Sequence, residues 1–360
     1  MANVKNYKYE TFPEDIIPLT SGWIKSDKYS DEFNSFDNTK WRKMNDFAHS
    51  MSPYAAFKYY NVDINDGYLE LSIKQEDPPL WLGIWYDTVN RINYYYSSGY
   101  GEMIDAIRYG YLEISCYLPN SEILRPCFWL WGSNGLEYDE IDVFERPGTI
   151  VDNKIDQNFN HNLNKPSQSH VWQSLEYDRN MFGIWATFAV EWLPNEITFF
   201  INGNITSRIV HTDNEGMISN NNIFTCVDID NAIRQKIQLS YSLVDTITDL
   251  SLLNETFKVD YVRSYKLKEG FNYEYWPMSF SMSDPHIFKV HKKLRLGGTG
   301  HTANINTSEN ITLWAKEEIV FEQGFEVSAN TKFTVRVIET DPELFIEEGS
   351  AIIPDIPPEY

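Results

Sequence analysis

The segment Tyr138–Arg146, with the sequence YDEIDVFER, determines how we interpret the rest of the chain. It carries the three carboxylates Glu140, Asp142 and Glu145 among apolar residues. Side chains alternate between the two faces of a β-strand, so Glu140 and Asp142 share a face. Glu145 reaches that face only if one extra residue is inserted after Asp142, which is the arrangement of a β-bulge. The sequence therefore predicts a strand with a bulge at Val143–Phe144.

Three carboxylates on one face are expected to titrate together. They cannot all ionise at low cost, so the pKa of one group rises and that group stays protonated near neutral pH. Glycoside hydrolysis requires an ionised carboxylate that attacks and a protonated one that donates to the leaving oxygen. The alternative is a solvated acidic face on an edge strand. The aromatic segment Phe128–Trp131 just upstream favours the glycosidase interpretation, because a solvated face needs no flanking tryptophans.

The stretch Glu140–Glu145 resembles the bulged E-x-D-x-x-E signature of glycoside hydrolase family 16. Other segments resemble hallmarks of this family in the same order along the chain. They are SDEFNSFDNTKW (Ser30–Trp41), SSG (Ser97–Gly99), RYGYLEISCYLP (Arg108–Pro119), RPCFWLW (Arg125–Trp131), FAVEWLPNEITFFINGN (Phe188–Asn204) and VDYVRSYK (Val259–Lys266). The resemblance covers about residues 25–268.

The resemblance implies an all-β fold, a jelly-roll β-sandwich with a concave glycan cleft. It implies that Glu140 is the nucleophile, that Glu145 is the general acid/base and that Asp142 tunes the pair. It also implies a structural calcium at Asp260, and no cofactor that the reaction requires. The candidate substrate contacts, taken from aromatic character, strand parity or position in the family, are Trp129, Trp131, His161, Trp85, Arg91 and Trp185, with Trp81 beside them.

The implied activity is that of an endo-acting, retaining glycoside hydrolase on a β-linked polysaccharide. Arg125-Pro126 stands where the family usually has Trp-Pro, which leaves the substrate open. This departure and the arginines near the acidic strand favour a galactan (agar, porphyran, carrageenan or a host galactose-containing glycan) over β-1,3-glucan. The alternatives are a non-catalytic glycan-binding module, a transglycosylase on the same fold and a structural adhesin.

The amino-acid composition limits the classes of binding partner that the protein can have. Aromatic residues make up 15% of the 360 residues, and Trp and Tyr stack on sugar rings, although all-β proteins are aromatic in general. The net charge of −22 argues against nucleic acid or an anionic membrane as the main partner. Cys116, Cys127 and Cys226 form neither a disulfide framework nor a zinc motif, and we expect the first two to be buried free thiols.

The sequence has no hydrophobic run near the length of a membrane span and no signal-peptide core. From the substrate class we expect a secreted, cell-surface or periplasmic protein, most simply a monomer, whose export signal lies outside this sequence.

Composition and hydrophobic pattern divide the chain into five segments. We expect an N-terminal extension at 1–26, the catalytic domain at 27–268, a linker at 269–290, a small stacked-strand module at 291–340 and an acidic tail at 341–360. The module resembles the coathanger-stack segments of secreted proteins from Bacteroidetes. A packing or spacer role is the preferred interpretation, with attachment or glycan binding as the alternative.

Overall fold

The structure is a computed structural model. It describes residues 23–49, 52–84, 87–121, 123–146, 154–161, 169–176, 183–193, 196–211, 223–226, 233–267, 274–275, 280–282, 286–290, 293–296, 303–305, 310–315, 318–321, 323–327 and 332–337. The described part of the chain holds no helix with the length and apolar character of a membrane span.

The region up to Leu267 is built almost entirely of β-strands. They are β1 (Trp23–Lys25), β2 (Trp41–Lys43), β3 (Phe47–His49), β4 (Ser52–Phe57), β5 (Val62–Asn65), β6 (Tyr68–Leu71), β7 (Ile73–Ile84), β8 (Asp87–Ser98), β9 (Tyr100–Ile107), β10 (Gly110–Leu118), β11 (Leu124–Ser133), β12 (Tyr138–Glu145), β13 (Lys154–His161), β14 (Ser169–Glu176), β15 (Ile184–Leu193), β16 (Glu196–Ile201), β17 (Asn204–His211), β18 (Ile223–Cys226), β19 (Gln235–Leu243) and β20 (Phe257–Leu267). Short 3₁₀ turns occupy Asp27–Tyr29, Tyr59–Asn61 and Leu250–Asn254.

Two large sheets form a sandwich, which confirms the expected all-β class. The nine-stranded sheet has the order β18-β17-β16-β15-β10-β20-β6-β5, and β1 pairs with β20. The seven-stranded sheet has the order β14-β13-β12-β11-β19-β9-β2. Leu112 and Ile114 of β10 and Leu130 of β11 are buried in one core cluster. The rings of Phe144 on β12 and Phe188 on β15 lie 4.2 Å apart and join the two sheets.

The strands β3, β4, β7 and β8 form a small closed barrel. Ala48, Ala56 and Tyr94 are buried inside it. Two other aromatic residues of this barrel, Phe47 and Phe57, pack against Tyr100 of β9, with ring centroids 5.8 and 5.0 Å away. The barrel therefore rests on the seven-stranded sheet at β9.

The C-terminal strands form a parallel stack. They are β21 (Glu274–Tyr275), β22 (Phe280–Met282), β23 (His286–Val290), β24 (Lys293–Leu296), β25 (Ala303–Ile305), β26 (Asn310–Ala315), β27 (Glu318–Phe321), β28 (Phe325–Val327) and β29 (Lys332–Val337). Every third strand pairs in parallel, in the orders β21-β24-β27, β22-β25-β28 and β23-β26-β29. This is the pairing of a small β-solenoid with three strands in each turn.

The structure corrects two of the expected boundaries. The first solenoid turn, β21–β23, lies within 269–290, which we expected to be a linker. The corners between short strands favour Pro, Gly and Ser, the same residues that suggest a linker. Trp23–Lys25, expected in a loose N-terminal extension, is a sheet strand that pairs with Tyr265–Leu267. The residues before Trp23 and the expected tail at 341–360 lie outside the described residues.

Candidate active site

The bulge expected on β12 is present. Asp142 pairs with Asn158 and Glu145 pairs with Asp156, with a register shift between the two pairs. Val143 and Phe144, the residues in the bulge, are both buried in the core. Two adjacent apolar side chains cannot both face inward on a regular strand, so the Val-Phe pair itself requires the extra residue. A regular strand would instead bury the Glu145 carboxylate, at a cost of roughly several kcal/mol.

The bulge places all three carboxylates on one side of the seven-stranded sheet, which we call the carboxylate face. Asn160 Nδ2 donates to Glu140 Oε1 at 2.9 Å and to Asp142 Oδ2 at 3.4 Å. Asn158 Nδ2 donates to Asp142 Oδ2 at 3.0 Å and to Glu145 Oε1 at 3.1 Å. The two asparagines, neighbours on one face of β13, thus hold the carboxylates in a line with Asp142 in the middle.

Asp142 is the member of this line that favours the proton. Burial raises the pKa of Asp142 well above its ordinary value, and the charges of Glu140 and Glu145 raise it further. The hydrogen bond from Asn158 and the charge of Arg125 act in the opposite direction. The raised pKa of Asp142 favours its neutral form, as expected for the middle member of three coupled acids.

Arg125 forms an ion pair with the outermost carboxylate. Its Nη2 atom donates to Glu145 Oε2, and its Nε atom donates to the carbonyl oxygen of Arg146 at 2.9 Å. The Arg125 side chain is 9% exposed and that of Glu145 is 20% exposed. The pair is therefore mostly shielded from water, and the guanidinium fixes Glu145 from one side while Asn158 fixes it from the other.

Trp129 and Trp131 lie on the carboxylate face, as their parity suggests. Trp129 stands opposite Asp142, and Trp131 stands opposite Glu140. The Trp129 indole is partly exposed and donates through Nε1 to Ser240 Oγ at 3.2 Å. Trp131 is buried. The structure thus brings two of the predicted aromatic contacts to the carboxylates.

His161 and Trp185 do not lie with the carboxylates, contrary to our expectation. His161 stands opposite Asp139, with Nδ1 2.7 Å from Asp139 Oδ1, so it points to the other face of the sheet from Glu140. Trp185 belongs to the nine-stranded sheet and packs against Tyr68 and Tyr117, with ring centroids 5.0 and 5.9 Å away. Strand register decides which face a side chain occupies, and register could not be derived from the residue pattern alone.

Three further residues were predicted to belong to the site or to a metal site. Trp85 falls outside the described residues. Arg91 is exposed on β8 of the small barrel. Asp260 is partly buried on β20, and no group of three or more His, Cys, Asp or Glu that could hold a metal gathers within the described ranges. The calcium site stays a prediction.

Charged residues extend the carboxylate face beyond β12. Lys236 on β19 stands opposite Trp131, and its Nζ lies 3.2 Å from Glu102 Oε1. Arg42 on β2 also pairs with Glu102. Two cations therefore share one buried carboxylate on this side of the face, although the molecule as a whole is acidic.

The sequence interpretation missed Asn158 and Asn160. Their alternate spacing in the segment QNFNH is a strand signal, because residues two apart share a face. An asparagine-rich segment usually indicates a loop, which masked that signal. The expected free thiols are confirmed at Cys116 and Cys127, and burial raises the pKa of Cys127 to about 12.

Comparison with known proteins agrees with this geometry. The family description "Beta-porphyranase A-D, GH16 domain" matches residues 23–267. Kappa-carrageenase of Pseudoalteromonas carrageenovora is 27% identical over 213 residues, which cover 52% of this chain and 51% of that protein. The chain thus spans about half the length of this curated relative.

Solved structures show the same fold. Porphyranase B of Zobellia galactanivorans superposes with a TM-score of 0.54 at 19% identity, over 68% of this chain and 93% of that one. The kappa-carrageenase of P. carrageenovora in complex with an oligotetrasaccharide of kappa-carrageenan superposes with a TM-score of 0.52 at 20% identity, over 68% and 94% of the two chains. The sandwich is thus the jelly roll that the sequence predicts. Because the family description covers most of the chain, this protein belongs to glycoside hydrolase family 16, a family of polysaccharide-degrading enzymes.

Proposed function

We propose that this protein is a secreted, endo-acting, retaining glycoside hydrolase that cleaves internal β-linkages of a galactan. The observation that carries the proposal is the line of carboxylates Glu140, Asp142 and Glu145, held on one face by Asn158 and Asn160. A binding module has no need to hold three acids together at the cost of their mutual repulsion. Double displacement requires such an arrangement.

In the first step, Glu140 attacks the anomeric carbon and the glycosidic C–O bond breaks. Glu145 delivers to the leaving oxygen the proton that the coupled carboxylates share, so the products are a covalent glycosyl-enzyme and a shortened glycan. In the second step, Glu145 removes a proton from water. The resulting hydroxide equivalent displaces Glu140 and forms a new reducing end with the original anomeric configuration.

Asp142 and the asparagines support both steps. The raised pKa of Asp142 favours its neutral form, and a neutral neighbour reduces the repulsion on Glu140 as the attacking carboxylate. The amide of Asn160 fixes the Glu140 carboxylate, and that of Asn158 fixes Glu145. Such fixed positions lower the entropy cost of reaching the transition state.

A galactan is the substrate class with the most support. The matching family description is that of beta-porphyranases, and the curated relative is a kappa-carrageenase. The two names refer to porphyran and to kappa-carrageenan, which are both galactans. Arg42 and Lys236 share the single carboxylate of Glu102 on the carboxylate face, and the net positive charge of this group suits a polymer with anionic substituents.

The test is a reducing-end assay with mass-resolved products on porphyran, agarose, carrageenans, mucin-type O-glycans, laminarin and mixed-linkage glucan. The proposal predicts a ladder of oligosaccharides from a galactan, because an endo-enzyme cuts within the chain. Glu140→Gln is the matched control and should give no product while still binding the glycan. Products from a glucan alone would overturn the galactan assignment, and no product from any glycan would favour a binding module.

A further inference from the structure

The small barrel carries an unusual share of exposed apolar side chains. Of nine large apolar residues exposed in the described ranges, four lie on the barrel strands, Tyr54, Trp81, Ile92 and Tyr95, and a fifth, Tyr59, lies in the 3₁₀ turn after β4. Scattered exposed apolar residues are normal, but a cluster of aromatic ones marks a binding surface. Trp81 and Tyr95 are the most exposed of the five, at 57% and 59%.

These two aromatic residues share one face of the hairpin β7–β8. Trp81 stands opposite Asn93. Arg91 and Tyr95 flank Asn93 at a spacing of two, so all four side chains point to the same side. Tyr94, which lies between Asn93 and Tyr95 in sequence, is buried in the barrel instead. We call Trp81, Arg91, Asn93 and Tyr95 the hairpin face.

The barrel that bears the hairpin face adjoins the candidate active site. Phe57 of the barrel packs against Tyr100, whose ring lies 6.1 Å from that of Trp129. Trp129 stands opposite Asp142 on the carboxylate face. Along the chain, Asn93 precedes Tyr100 by seven residues, a distance of at most about 24 Å in extended strand. The barrel therefore lies beside the carboxylate face, within reach of a long polysaccharide that extends over β9.

We propose that the hairpin face binds sugar units of the galactan that lie beyond those held at the carboxylates. This inference rests on the proposed function and extends it to a remote subsite. Trp81 and Tyr95 offer flat rings on which the apolar faces of sugars stack. Asn93, which adjoins both rings, offers both a donor and an acceptor to hydroxyl groups. Arg91 suits an anionic substituent such as a sulfate ester.

A sugar chain fits this face better than an apolar protein partner does. Each ring adjoins a polar side chain, because Trp81 stands opposite Asn93 and Tyr95 lies two residues after Asn93 on the same strand. The charged Arg91 lies two residues before Asn93. Exposed rings interleaved with hydrogen-bonding groups can contact both the apolar face and the hydroxyl edge of each sugar. The acidic net charge of −22 disfavours an anionic membrane as the occupant.

The experiment measures binding in the full-length Glu140→Gln protein, so that cleavage does not interfere. Affinity electrophoresis on porphyran, kappa-carrageenan, agarose and laminarin compares this parent with Trp81→Ala, Tyr95→Ala and Arg91→Gln added singly. Trp81→Ala and Tyr95→Ala should each weaken binding to the galactan by about three- to tenfold. Arg91→Gln should weaken binding to sulfated galactans but not to agarose.

The matched control is Phe321→Ala, which removes an exposed aromatic ring from the C-terminal strands and should bind as the parent does. In the active background, Trp81→Ala should lower kcat/KM on the polymer and leave kcat/KM on a short oligosaccharide unchanged. Parent-like binding by both aromatic variants would overturn the hairpin-face proposal and leave the hydrolase intact. A parent that neither binds nor, with Glu140 restored, cleaves any of the glycans would overturn both.

Discussion

At the scale of single residues, the three acids of the site are held by hydrogen bonds from two side-chain amides and by an ion pair with one guanidinium. Asn158 and Asn160 each bridge two carboxylates, so the three acids act as one unit. Arg125 adds a positive charge at one end of that unit, on Glu145. Because the positive charge lies at the Glu145 end of the unit, Glu145 and Glu140 have different environments. Different environments allow similar carboxylates to take different catalytic roles.

The pH dependence of stability should reveal the buried proton. Because the folded-state pKa of Asp142 is raised, its stabilising contribution is complete below the unfolded pKa, about 3.9, and is lost as the pH rises through the folded pKa. Asp142→Asn removes that loss. We expect Tm of Asp142→Asn to exceed that of the wild type by an amount that grows from pH 4 to pH 8, as measured by differential scanning calorimetry.

Asp37→Asn is the control of opposite sign. Hydrogen bonds from Thr39 lower the pKa of Asp37, so its contribution is present above the unfolded pKa and is lost as the pH falls. This variant should be less stable than the wild type at neutral pH and should approach it in acid. A difference between Asp142→Asn and the wild type that does not change with pH would contradict a proton on Asp142.

The contribution of the Arg125 positive charge can be separated from that of its two hydrogen bonds. Lysine keeps the charge but cannot make both contacts, to Glu145 Oε2 and to the carbonyl oxygen of Arg146. We expect Arg125→Met to lower kcat by about tenfold or more and to lower Tm, because one partner of a largely buried ion pair is removed. Arg125→Lys should fall between Arg125→Met and the wild type in both measurements. A kcat of Arg125→Lys equal to that of Arg125→Met would show that the charge alone contributes nothing.

At the scale of elements, the strands β11, β12 and β19 form the platform of the site. The bulge in β12 turns Glu145 toward its partners. Close approach of β11 to the segment before β19 then fixes the position of Trp131. A Cβ atom at Gly132 would lie 1.9 Å from the carbonyl oxygen of Arg234, so only glycine permits this contact.

Gly132→Ala should therefore destabilise the protein by about 1–3 kcal/mol and lower activity, because the backbone beside Trp131 must move. Urea unfolding measures the first effect and the reducing-end assay the second. Gly101→Ala is the matched control, since its nearest neighbour would be a ring carbon of Trp41 at 4.0 Å. Equal stability of the two variants would argue that the close approach at Gly132 has no structural importance.

At the scale of the whole molecule, the parts that the sequence predicted are those in which one residue pattern has a single structural solution. Val143-Phe144 between two acids requires a bulge, and the ordered family segments imply a sandwich. The sheet faces that His161 and Trp185 occupy depend on strand register. They could not be predicted without knowing which strands pair. The strands between residues 274 and 290 were not predicted, because the Pro, Gly and Ser residues of 269–290 suggested a linker.

The proposed function depends on the unit of three carboxylates. Its central element is retaining hydrolysis with Glu140 as the nucleophile. The most direct measurement is time-resolved proton NMR of the first reducing end released from the galactan that the protein cleaves. The β-anomer should appear first and should then equilibrate with the α-anomer, and Glu140→Gln should release neither. An α-anomer that appears first, or full activity in Glu140→Gln, would contradict the account.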